Sequence, residues 1–171
     1  MEDTSRNSGT TSRLTDTIHF IRSIMDTTME RVLHGLARRM DQSPGFHYHA
    51  RTYHRCEGWL QVEVVGQLLG EGILGINVED HERSLLGRER YVDLTFPNTV
   101  LEIACHVDEV PNASWFKGLE DRLSAFDKYL YQYALICVMG ARPALADRAG
   151  YGVVRCIEGN SYTLLLYRRN R

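Results

Sequence analysis

Lysine is almost missing from this chain. Of its 20 basic residues only Lys117 and Lys128 are lysines, so a reaction that needs an ammonium has two places to find one. Charge of one sign is missing too: a net charge of −2 gives no global basic signature, although a local basic groove can sit on a neutral protein. No apolar run approaches the length of a membrane span, and residues 1–13, rich in Ser, Thr and Asn, hold no apolar leader segment. The reading is a cytoplasmic protein with no membrane partner. The four cysteines, Cys56, Cys105, Cys137 and Cys156, lack zinc-ligand spacing and read as core thiols in a reducing compartment.

What is there suits one ordinary globular domain of 171 residues. Residues 1–13 read as a disordered tail and 14–171 as a single domain. Within it, 14–45 form an N-terminal helical extension, 57–139 a core and 150–171 two C-terminal strands. Leu14, Ile18, Ile21, Met25, Met29, Val32 and Leu36 make one apolar stripe from Leu14 to Arg39. That helix suits covering a core, and it also offers a surface for a homodimer or a larger complex. His47, His49 and His54 follow on a partly exposed strand or loop, with nothing nearby to complete a zinc site.

Glu57 to Leu69 reads as a well-buried helix, its apolar residues covering most of the circumference. A glutamate in such a helix needs a partner, so Glu63 and Glu57 are candidate metal carboxylates; their plain reading is a solvated helix edge and an N-terminal helix charge. Ile73 to Glu79 suits a strand, followed by a polar stretch from Asp80 to Arg83. A helix beginning near Ser114 carries Trp115, Leu119, Leu123, Phe126 and Leu130 on one stripe and Lys117 on the opposite one. The apolar run Tyr133–Met139 suits a buried parallel strand reached by that helical crossover. Gly152–Ile157 and Tyr162–Tyr167 close the chain as strands.

The centre is Arg90 to His106, a hairpin turning at Pro97-Asn98. Alternation puts Val92, Leu94 and Phe96 on one face of its first strand and Tyr91, Asp93 and Thr95 on the other. A turn centred on Pro97-Asn98 sets Asp93 opposite Glu102, with Cβ atoms roughly 5 Å apart. Carboxylates so placed repel. A buried pair shares a proton or takes a cation, and a hard divalent ion, Mg²⁺ or Mn²⁺, is the simplest that fits. On a solvated face the pair does nothing.

The order is helix, meandering strands, helix, buried strand. With Glu57-Gly-Trp-Leu-Gln-Val-Glu63, Val92-Asp93-Leu94, Val100-Leu-Glu102-Ile-Ala104 and the Trp115–Leu130 helix, it resembles the restriction-endonuclease-like, PD-(D/E)xK nuclease superfamily. The resemblance spans about Glu57 to Met139. It implies an α/β fold of αβββαβ order, a mixed sheet flanked by helices, and a metal-dependent nuclease acting on DNA or RNA. Asp93 and Glu102 would bind Mg²⁺ or Mn²⁺, joined by a helix glutamate. The chain departs from the pattern in two places: Ala104 stands at the lysine position and Val92 at the proline position. Lys117, on the following helix, and His106, on the strand face of Glu102, are the candidate catalytic substitutes for that lysine. The alternative is a degenerate nuclease fold that binds nucleic acid or protein without cutting. An ion pair between either acid and Arg88, Arg90 or Arg122 would favour that alternative.

Overall fold

The structure is a computed structural model that describes residues 8–46, 56–83, 89–109, 111–140, 143 and 150–170. Residues 1–7 of the expected tail and the histidine-bearing stretch 47–55 lie outside the described residues. Helix α1 runs Ser8–Asp41 and α2 runs Glu57–Gly70. Strands β1 (Asn77–Arg83), β2 (Glu89–Phe96) and β3 (Thr99–Val107) follow, then α3 (Ala113–Leu123) and a 3₁₀ turn (Ser124–Phe126). Strands β4 (Tyr131–Met139), β5 (Tyr151–Glu158) and β6 (Tyr162–Arg169) complete the order.

The six strands form one mixed sheet in the order β1-β2-β3-β4-β6-β5. β3 and β4 run parallel, and every other neighbouring pair is antiparallel. α3 lies between the parallel strands in sequence, the crossover that parallel pairing requires. β4 is buried along its whole length, as an interior strand covered on both faces should be.

Two cores lie on the two faces of the sheet. Met29, Val32, Leu33, Leu36 and Met40 of α1 and Leu60, Val64 and Leu68 of α2 pack with Leu101, Ile103, Leu135 and Cys137. Phe116, Leu119 and Leu123 of α3 pack with Val100, Ala134, Ile136 and Leu165 on the opposite face. Adjacent residues of β3 and β4 alternate between the cores, the period-2 signature of a strand buried on both sides.

Several expectations need correction. The helix begins at Ser8, inside the segment read as tail, because the Thr/Ser run is carried by a 34-residue helix. Among the described side chains of α1, the apolar ones from Met25 on pack against a core, while Phe20, Ile21 and Ile24 are exposed. α2 buries a single stripe, and Val62 and Leu69 face solvent. β1 is the polar stretch rather than the apolar one: Ile73–Ile76 are outside the strand and Asp80–Arg83 inside it. It is an edge strand, where charged side chains are tolerated and hydrogen bonding to β2 alone sets the register. α3 is capped by Asn112, whose Oδ1 accepts from the Trp115 N–H at 3.0 Å, not by Ser114. Leu130, beyond the helix, is exposed. Cys56 and Cys105 form a disulfide across 49 residues, where four free thiols were expected; only Cys137 and Cys156 are free. Among the described residues no helix is long and apolar enough to cross a membrane.

Candidate functional site

The hairpin turns where the sequence placed it. Leu94, Thr95 and Phe96 pair with Leu101, Val100 and Thr99, and Asn98 takes the positive φ of 59° that a tight turn demands. One further step of this register brings Asp93 opposite Glu102, but the ladder stops before that step. The β1–β2 ladder breaks at the same residue. Val78 pairs with Leu94 and Asp80 with Val92, while Glu79, which the register sets across from Asp93, is unpaired at φ 52°. β2 therefore loses backbone pairing on both sides at Asp93.

This break overturns the expected alternation. Leu94 and Phe96 join the core under α1 and α2, but Val92 joins the core under α3. The strand changes face at Asp93, whose backbone N–H donates to the Glu102 carboxylate while its side chain bonds the backbone of β3. Asp93 Oδ2 accepts from the Ile103 N–H at 2.6 Å, and Oδ1 accepts from Gln61 Nε2 of α2 at 2.6 Å. Glu102 turns toward α3, where its Oε1 lies 2.8 Å from Arg122 Nε. Between the parted strands is an open cavity of about 290 Å³, lined by Glu79, Tyr91, Val92, Asp93 and Glu102.

The electrostatics follow from this placement. Burial pushes the Asp93 carboxyl up, opposed by the two hydrogen bonds and by Arg122. Burial and, next, the charge of Asp93 push Glu102 up to about 7. Glu57 is close enough to raise both. Glu57 opens α2, and its Oε1 accepts from the Cys105 N–H at 3.2 Å. His106 stacks edge-on against Trp115, ring centres 5.6 Å apart. Burial lowers its pKa, while Glu57 and Glu109 pull the other way.

The structure thus brings Asp93 and Glu102 to one cavity, with Glu57 nearby. Glu63 is elsewhere, held by Arg39 of α1 at 3.0 and 3.1 Å. Lys117 is exposed on α3 and does not line the cavity. The cation that reaches the acids from that helix is Arg122. Gln61 and Glu79 are the further residues that touch Asp93 or share its cavity. The i, i+4 spacing from Glu57 was a signal for Gln61, and a β1 placed at Asn77–Arg83 would have found Glu79.

The fit to a divalent cation is that of a two-carboxylate site. Among the described residues, no three imidazole or carboxylate ligand atoms lie within 4.8 Å of one another. Mg²⁺ is commonly held by one or two carboxylates, with water and substrate phosphate oxygens completing its shell. Asp93 and Glu102 could supply that pair, with the cavity leaving room for the rest. Comparison of the chain with protein-family models, curated proteins and solved structures finds no match.

Proposed function

We propose that this chain is a divalent-metal-dependent nuclease that hydrolyses phosphodiester bonds of DNA or RNA, with Asp93 and Glu102 as the metal ligands. The observation that carries the reading is their meeting at the break in β2, beside an open cavity. The order α2-β1-β2-β3-α3-β4, with β3 parallel to β4, supports the restriction-endonuclease-like resemblance. A bound Mg²⁺ or Mn²⁺ lowers the pKa of its water and polarises the phosphate.

The protein's own residues do the rest. Gln61 and the Ile103 N–H hold the Asp93 carboxylate in one orientation. Glu102 would hold the metal in place of its ion pair with Arg122. The guanidinium beside it would then be available to stabilise charge on the phosphate, the task left open by Ala104. Lys117 has no part in this reading. His106 lies close enough to Glu57 to feel its charge, and among the described residues its buried Nε2 has no hydrogen-bond partner.

The test is Mn²⁺ titration by calorimetry, with cleavage of single- and double-stranded DNA and RNA followed in the same buffer. Asp93→Asn and Glu102→Gln should each lose Mn²⁺ binding at least tenfold and abolish cleavage. Arg122→Ala should bind Mn²⁺ several-fold more tightly and cleave about 10- to 100-fold more slowly. One observation favours a second reading, a nuclease-like fold that binds nucleic acid or protein without cutting. Glu102 already has a cation in Arg122. Wild-type protein that neither binds Mn²⁺ nor cleaves any of the four substrates would select it.

A further inference from the structure

We propose that Cys56, Cys105 and Cys137 form a second metal site, an all-sulfur pocket for a thiophilic d¹⁰ cation, open only when the Cys56–Cys105 disulfide is reduced. Three elements build it. Cys105 on β3 and Cys137 on β4 are register partners in the parallel pair, and both side chains face the core under α1 and α2. Cys56, the residue before α2, comes down on that face, with its Cα 5.8 Å from that of Cys105. The three Sγ atoms lie within 4.8 Å of one another, the one such cluster of potential ligands among the described residues. The fourth free or paired cysteine, Cys156 on β5, is outside the set.

The donor chemistry chooses the ion. The Met139 thioether, a further soft sulfur donor, lies 3.8 Å from Cys137 Sγ. Thiolate and thioether ligands select Cu(I) and Zn(II) over the hard ions that carboxylates hold, and a sulfur-only set suits Cu(I) best. Cys56 and Cys137 are buried and Cys105 is half-buried. Burial holds the Cys137 thiol protonated, its pKa pushed up to about 12, and a bound cation would displace that proton.

The steps balance. A phosphine reductant breaks the Sγ–Sγ bond and leaves as its oxide, taking oxygen from water and giving two thiols. The cation then binds the three sulfurs and releases their thiol protons to buffer. In the oxidised chain two of the three ligands are consumed by the disulfide. The pocket is thus distinct from the carboxylate site in both ligand type and redox condition.

The test titrates the full chain with Cu(I), and in parallel with Zn(II), against a competing chromophoric chelator without oxygen. Phosphine-reduced protein should bind one equivalent of at least one ion, and the oxidised protein none at the same chelator concentration. Cys137→Ser should weaken binding at least tenfold, and Cys156→Ser should leave it unchanged. X-ray absorption at the bound metal in reduced wild-type protein, which needs no variant to fold, should show a sulfur-only first shell. Binding by the oxidised protein, undiminished binding by a folded Cys137→Ser variant, a nitrogen- or oxygen-dominated shell, or no binding of either ion would each overturn the proposal.

Discussion

Glu102 is held where its charge is unwelcome. Burial and Asp93 push its carboxyl up to about 7, and the guanidinium of Arg122 only partly opposes them. A carboxyl whose pKa is higher in the folded than in the unfolded chain binds its proton more tightly when folded. Its stabilising contribution is therefore complete below the unfolded value near 4.5 and is lost as pH rises through about 7. In metal-free buffer, wild type should lose stability relative to Glu102→Gln across that window, with the difference constant above it. Urea unfolding at pH 4 to 8 checks the sign; a wild-type stability that holds or rises relative to Glu102→Gln across that window would contradict it. The facing of Asp93 and Glu102 could be read in the sequence, because a turn at Pro97-Asn98 fixes what lies four residues to each side. The switch of face at Asp93 could not. Val92, Leu94 and Phe96 are equally apolar whichever core they enter, and letters do not record where a ladder stops. Arg122 was legible only as one of three possible partners, since helical spacing gives a direction around α3 but not the distance to β3.

At the scale of elements, the site hangs on the start of α2 and on α3. The α2 end is pinned twice, by the Cys56–Cys105 disulfide and by Glu57 on the Cys105 N–H. Closing a loop with a sequence separation of 49 stabilises by about 4 kcal/mol through the unfolded chain. Reduction should lower the unfolding free energy by that amount, read by urea denaturation with and without reductant in metal-free buffer. α3 begins at the Asn112 cap, and Asn112→Ala should cost about 1 kcal/mol in the same assay. It should also loosen Arg122 one helix length away. The long elements were readable because their periodicity is strong: α2, β3, β4 and β6 fall close to where apolar spacing puts them. β1 was displaced because an edge strand lacks a buried face to mark it. The disulfide was unreadable because Cys56 and Cys105 are brought together by the packing of α2 on β3, not by spacing.

Across the whole molecule, the sheet separates two cores, and α1 is bound to its far side by more than apolar contact. Tyr133 of β4 donates to Asp26 Oδ1 at 2.7 Å, and Arg168 of β6 pairs with the same carboxylate. Tyr162 reaches Asp41 at 3.0 Å near the other end of the covering stretch of α1. Tyr133→Phe and Tyr162→Phe together should reduce stability by about 2 kcal/mol, roughly one for each lost hydrogen bond. Equilibrium unfolding of the double variant checks it. The link between Cys56 and Cys105 also encloses α2, β1, β2 and the hairpin turn in one covalent ring. A protease that cuts once anywhere between residues 57 and 104 would therefore not separate the chain. Electrophoresis without reductant would show a single band of undiminished mass, and only added thiol would release two fragments.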